Sequence, residues 1–137
     1  MKYDLIFYLS KKTGYCEKRL RAALKQIGAE ANRVVCATDP TALGEEVTHS
    51  LTLCQLVIII GGLGSPDRDN TATVLSRAFS TSGLTLENMR RVTAPSGTVG
   101  YAVRYKSQML LALPDNPDEI EAMISDEMLR YIEEKLA

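Results

Sequence analysis

The apolar positions of this chain fall into two registers. Tyr3 to Leu9 is an apolar run broken only by Asp4, the pattern of a strand covered on both faces. Leu20, Ala23, Leu24 and Ile27 then recur on one helical face between about Tyr15 and Gly28, where glycine supplies the stop. Arg33 to Ala37 reads as a second short strand. Asp39-Pro40 places an N-cap before a proline at the first helical position, and Leu43, Val47, Leu51 and Cys54 carry that helix on. Leu56 to Ile60, five apolar and mostly β-branched residues, is the third strand. Strands separated by helices of this length predict βαβ crossovers and a parallel sheet.

The second half begins with Gly61-Gly62-Leu63-Gly64 and the polar cluster Asp67-Arg68-Asp69-Asn70-Thr71. Asp69 or Asn70 caps a third helix, with Val74, Leu75, Ala78 and Phe79 at helical spacing, ending near Ser80-Thr81-Ser82-Gly83. Leu84 to Gly97 shows no clear period and carries the turn former Pro95-Ser96-Gly97. Thr98 to Tyr105 and Gln108 to Leu113 read as two strands joined at Lys106-Ser107, an antiparallel hairpin. Asn116-Pro117-Asp118-Glu119 is a helix start, and an apolar stripe from Ile120 to Leu136 predicts one helix to the end. With no repeat or linker, residues 1–137 form one domain. The expected class is α/β: a three-layer sandwich with a mostly parallel sheet, helices on both faces and an antiparallel hairpin near the C-terminal end.

A strand, a glycine turn and a helix start is where open α/β folds place phosphate-bearing ligands, because glycines let backbone N–H groups approach an anion and the helix dipole favours it. A tight turn also needs glycine, so Gly-Gly-x-Gly alone leaves plain turn and binding loop level. The adjoining Asp67 and Asp69 shift the balance, since two carboxylates beside an anion site call for a cation such as Mg²⁺ or Arg68 between them. Asp67 and Asp69 are therefore the candidate catalytic and Mg²⁺-ligating residues, and Asp69 also serves as a helix cap. Gly97-Thr98-Val99-Gly100 and Leu113-Pro114-Asp115-Asn116-Pro117 lie at strand boundaries, where they are ordinary turns or further walls of a pocket.

Composition narrows the partners. A net charge of −1 argues against a nucleic-acid binder. The one basic cluster, Lys11, Lys12, Lys18, Arg19 and Arg21, reads as a solvated surface. No apolar run approaches the roughly 20 residues that span a bilayer, and the start reads as a strand rather than a signal peptide. Cys16, Cys36 and Cys54 form no paired motif and predict reduced thiols in the cytoplasm. Cys36 and Cys54 read as core residues, whereas Cys16 lies among basic residues that would lower a thiol pKa. His49, the only histidine, has no second histidine or paired cysteines with which to bind zinc and reads as a helix residue.

Together, GGLGSPDRDNT, GTVGYAV and LPDNPDEIEAMISDEMLRYIEEKL resemble, in that order, the motifs of the molybdopterin-binding fold. That fold is shared by molybdenum-cofactor biosynthesis proteins of the MogA/MoaB type and the N-terminal domain of the CinA family. The resemblance covers Leu56 to Ala137, with a tail closer to the CinA side. It implies a pocket at the strand ends for molybdopterin or a nucleotide-type ligand, and assembly as a homo-oligomer, a trimer by preference. Gly61, Gly62, Gly64, Ser65, Asp69 and Thr71 map onto the ligand loop, and Thr98, Gly100, Pro114 and Pro117 onto two supporting loops. Two positions depart from the pattern. The loop after the first strand, Leu9-Ser10-Lys11-Lys12-Thr13-Gly14, lacks the family's acids, and Asp115 stands where the motif has glycine.

The resulting expectation is a protein that binds a phosphorylated pterin or nucleotide-type ligand at the GGLG/DRDNT loop, with or without turnover. The alternative is an active enzyme, either a molybdopterin adenylyltransferase type or a CinA-like nucleotide pyrophosphatase.

Overall fold

The computed structural model describes residues 1–65, 69–80, 89–105 and 107–136. Elements run β1 (Lys2–Tyr8), α1 (Thr13–Lys25), β2 (Glu30–Ala37), α2 (Pro40–Leu53), β3 (Leu56–Ile60), α3 (Thr71–Ser80), β4 (Met89–Thr93), β5 (Val99–Tyr105), β6 (Gln108–Leu113), α4 (Pro117–Met123) and α5 (Asp126–Leu136). One six-stranded sheet has the order β2-β1-β3-β6-β5-β4. The β1–β2, β1–β3 and β3–β6 pairs are parallel, while β5 runs antiparallel to both β6 and β4. The α/β sandwich and the C-terminal hairpin stand as the pattern predicts.

β3 shows why its sequence is apolar without interruption. Leu56, Ile58 and Ile60 face a core built with α1, α4 and α5, and Val57 and Ile59 face a second core built with α2 and α3. Alternate side chains enter opposite layers, so no position can be polar. Each such side chain contributes about 1.5–3 kcal/mol by leaving water.

Three expectations change. β4 has no apolar run because it is the sheet's outer strand, where Arg90, Arg91 and Thr93 are exposed and only Val92 is half-buried. The C-terminal stripe is two helices rather than one. Ile124 leaves helical geometry at φ −89°, ψ 61°, and Ser125 Oγ accepts from the Met128 N–H at 3.2 Å to start α5. Leu9 leaves the first strand and turns into the left-handed region at φ 52°.

At the opposite end of β1 from this turn, Asp4 is fully buried. It accepts from Asn32 Nδ2 at 3.0 Å, Arg33 Nε at 3.3 Å and Cys54 Sγ at 3.3 Å. Arg33 also donates to Ser50 Oγ at 2.9 Å and pairs with Glu46 at 2.9 Å. This network ties β1, β2 and α2 together and explains the polar residue inside the first apolar run. Cys54 is buried as expected, but Cys36 is exposed, because the outer strand β2 presents alternate residues to solvent. Among the described residues no helix is long and apolar enough to cross a membrane.

Candidate ligand-binding site at the strand ends

β1, β3 and β6 end on one edge of the sheet, and the antiparallel β5 begins there. The connections leave β1 towards β2 on one side and β3 lies on the other, the switch-point geometry at which open sheets form a crevice. A cavity of about 430 Å³ opens at this edge, lined by Leu9, Gly61 to Ser65, Thr98, Val99, Tyr101, Pro114 and Asp115.

The glycines after β3 have distinct reasons. Gly61 has φ 109°, and a Cβ there would stand 2.0 Å from the Tyr8 carbonyl oxygen. Gly62 has φ 74°, and a Cβ there would stand 2.4 Å from both Thr71 Oγ1 and the Tyr8 ring. Both let the loop fold down onto β1. A Cβ on Gly64 would meet nothing within 4 Å, so this residue sits in open space.

The helix that follows is fastened under the loop. The buried Thr71 donates its hydroxyl to the Gly61 carbonyl at 2.7 Å and its N–H to the Gly62 carbonyl at 3.2 Å. Asn70 caps α3 by accepting from the Ala72 N–H at 2.9 Å, and its amide donates to the Leu63 carbonyl at 2.9 Å. Tyr8 Oη donates to the Asp69 carbonyl at 2.8 Å. Burial, with Asp69 and Asp39 nearby, raises the Tyr8 pKa, so the phenol keeps the proton it donates. The Gly61 and Ser65 N–H groups are spent on the Leu113 and Gly62 carbonyls. Among the described residues the N–H groups of Gly62, Leu63 and Gly64 have no partner. These three amides line the cavity and are donors of the kind that anions accept from.

Asp115, which also lines the cavity, brings together the two positions that depart from the motifs. Its carboxylate accepts from Ser10 Oγ at 2.7 Å, the Lys11 N–H at 2.7 Å, the Lys12 N–H at 3.3 Å and Cys16 Sγ at 3.6 Å. α1 has neither a side-chain cap of its own nor an acid in its first turn, so Asp115 supplies the missing negative charge from the β6–α4 loop. Burial alone would raise the Asp115 pKa. The donors of Lys11, Ser10, Lys12 and Cys16 outweigh it and hold the carboxyl below its ordinary value. Cys16 is buried, and burial together with Asp115 pushes its thiol up to about 12, the reverse of the lowering expected from its basic neighbours.

Thr98 Oγ1 donates to Glu119 at 2.7 Å, and Ser96 Oγ donates to the same carboxylate oxygen. Asn116 caps α4 by accepting from the Asp118 and Glu119 N–H groups, which fixes Glu119 beneath Thr98. Two of the five residues of the basic cluster are paired, Arg19 with Asp118 and Glu121 and Arg21 with Glu17.

Of the residues read as ligand-binding, Gly61, Gly62, Gly64, Ser65, Thr98 and Pro114 line the cavity. Thr71 and the Asp69 backbone support it from beneath. Gly100 lies in β5, where a Cβ would stand 2.5 Å from the Ala112 carbonyl oxygen, and Pro117 opens α4; neither lines the cavity. Asp67 lies outside the described residues. Among those described, no three His, Cys, Asp or Glu side chains form a cluster able to hold a metal. Leu9, Tyr101 and Glu119 were not singled out in the sequence. A left-handed leucine at the pocket mouth leaves no sequence mark, and Glu119 reads there only as a helix-start acid. A larger cavity of about 720 Å³ lies between α2 and α3, and His49 lines it.

The fold is thus an α/β sandwich with a glycine-lined cavity at the switch point of its sheet. Residues 15–134 match the family model described as "Probable molybdopterin binding domain", and the chain belongs to that family. A CinA-like protein of Chlorobaculum tepidum is 27% identical over 74% of this chain, which corresponds to 32% of that protein's length. The chain thus spans about a third of that relative. Among solved structures, CinA of Thermoplasma acidophilum, titled as of unknown function, superposes with a TM-score of 0.73 at 17% identity, covering 99% of this chain and 98% of that one. A molybdenum cofactor biosynthesis protein B gives 0.73 at 12% identity, covering 99% and 93%. MogA gives 0.66 at 18% identity and covers both chains fully. These likenesses show the fold.

Proposed function

We propose that this domain binds a phosphorylated pterin or nucleotide-type ligand in the strand-end cavity, with the phosphate on the amides of Gly62, Leu63 and Gly64. The observation that carries the reading is a switch-point cavity lined by three N–H groups that have no partner among the described residues. Thr98, Tyr101 and Pro114 would form the walls around the rest of the ligand, and Thr71 and Asn70 keep the loop in shape. The family membership supports a pterin-type ligand. Calorimetry with ATP, ADP-ribose and molybdopterin, each with and without Mg²⁺, tests it; binding of none of them rejects the pocket.

A second reading, an enzyme that transfers or hydrolyses the phosphate, rests on Asp69. Its backbone carbonyl accepts from Tyr8 just before α3, which fixes the acid beside the glycine loop, where a carboxylate could act on a cation or a proton. Release of phosphate or pyrophosphate from a bound nucleotide, lost in Asp69→Ala with binding retained, would select it. We further propose a cytoplasmic homo-oligomer, a trimer by preference, which the unpaired cysteines and the family resemblance support, and light scattering after size exclusion measures that assembly.

A further inference from the structure

β4 bounds the sheet on one side and, among the described strands, pairs with β5 alone. In an outer strand alternate residues turn their N–H and C=O groups away from the single neighbour, and those groups are a template for a further strand. Beside this rim a cavity of about 370 Å³ opens between β4 and the α4–α5 break, with Arg90, Val92, Ser125, Glu127, Met128 and Tyr131 in its lining. The register with β5 divides the side chains of β4 between two faces. Arg90 stands opposite Ala102, which belongs to the core built with α4 and α5, and Arg91 stands opposite Tyr101, which packs on the other core. Each face of the rim therefore carries one exposed arginine. The Arg90 guanidinium lies 5.3 Å from the centre of the Tyr131 ring and the Lys135 ammonium 6.0 Å from it, which sets positive charge around the cavity. Glu127 is the one acid among the described lining residues, against two arginines.

From this we propose that β4 is a docking edge for an extended acidic segment of a partner protein, which adds as a seventh strand and sets apolar side chains into the cavity. In strand addition the main-chain hydrogen bonds supply affinity and the side chains supply the choice of partner. Acids directly opposite Arg90 and Arg91 form favourable cross-strand pairs, one on each face of the rim. Val92 and Met128 offer apolar surface to a β-branched neighbour of those acids. A second copy that offered its own β4 would bring arginines against arginines, and like charges across a strand pair are destabilising. The charges that turn away a copy are thus the ones that select an acidic strand.

The probes are two end-blocked peptides, Thr-Val-Glu-Glu-Val-Thr and Thr-Val-Lys-Lys-Val-Thr, whose palindromic order sets the charged pair opposite Arg90 and Arg91 in either strand direction. Each is titrated at millimolar concentration into the isotope-labelled full chain and followed by NMR. The glutamate peptide is expected to shift the β4 amides and slow their hydrogen exchange. It should bind about threefold or more tightly than the lysine peptide, by a gap that added salt narrows. Arg90→Glu/Arg91→Glu should reverse the preference, and both positions are exposed. Should that variant fail to fold, Arg91→Glu alone keeps the Arg90–Tyr131 contact and should still shrink the gap. Binding of neither peptide, equal binding of both, an unchanged preference in the variants, or shifts confined to residues away from β4 overturns the inference. So does self-association, seen by light scattering, that protects the β4 amides without any peptide, since the rim is then a contact between copies.

Discussion

The Asp115 carboxylate accepts from the Lys11 N–H at 2.7 Å across 104 positions of sequence. This bond joins the loops after β1 and β6, and so holds two walls of the cavity together. It also neutralises the start of a helix that has no cap of its own.

Asp115→Ala is therefore expected to lower stability by about 1–3 kcal/mol, because the Ser10, Lys11 and Lys12 donors lose their acceptor. Urea unfolding reads this as a lower midpoint with an unchanged slope. Asp115→Asn, which retains one acceptor oxygen, should lose less.

Acid should weaken the fold through two carboxyls. Burial alone would raise the Asp4 pKa, but donors from Asn32, Ser50, Cys54 and Arg33 outweigh it and lower it, as the Asp115 donors do for Asp115. Each group binds its proton less readily folded than unfolded. The stability it adds is thus present above the unfolded-chain value, about 3.9, and disappears as pH falls through the lower folded value. Unfolding midpoints measured from pH 7 downward should decline in that window, with a shallower decline in Asp4→Asn and Asp115→Asn.

At neutral pH, Arg33→Met should be costly. It leaves Asp4 fully buried with its charge and without its ion-pair partner, a situation worth about 3–5 kcal/mol where a buried pair is broken. The retained Asn32 and Cys54 donors place the expected loss towards the lower end. Thermal unfolding of Arg33→Met beside the double variant Asp4→Asn/Arg33→Met measures the coupling.

The glycines after β3 should differ sharply. Gly61→Ala forces a Cβ against backbone that cannot retreat and should cost about 2 kcal/mol or more, whereas Gly64→Ala should stay within about 0.5 kcal/mol. Under the proposed function, Gly64→Ala should affect ligand affinity more than stability, because its Cβ enters the space beside the Gly62, Leu63 and Gly64 amides.

Thiol labelling separates the three cysteines. Cys36 is exposed, while Cys16 and Cys54 are buried with thiols pushed up to about 12 and about 11. A thiol reagent at pH 8 should modify Cys36 rapidly in the native protein and the other two only on unfolding.

The sequence by itself determined the layers. Unbroken apolar runs marked β1 and β3, turn-bounded apolar runs the C-terminal hairpin, and a period of 3.6 residues three helices, because burial on one or both faces of an element dictates which positions can be polar. Asn116-Pro117 and Asp39-Pro40 marked helix starts through local chemistry that needs no partner. The glycine loop was legible for the same reason, since φ above zero and close backbone approach demand glycine wherever the chain lies. Tertiary structure alone decided what depends on distant residues meeting. β4 was hidden because an outer strand buries too little to impose a pattern, and the break before α5 rests on one serine in an otherwise continuous stripe. Cys16 was misread because its basic sequence neighbours matter less than its burial and a carboxylate about a hundred positions away. Asp115 itself stood out only as a residue where the motif has glycine. Only the folded chain shows it occupied by the donors of the β1–α1 loop, since a hydrogen bond is set by distance in space and not in sequence.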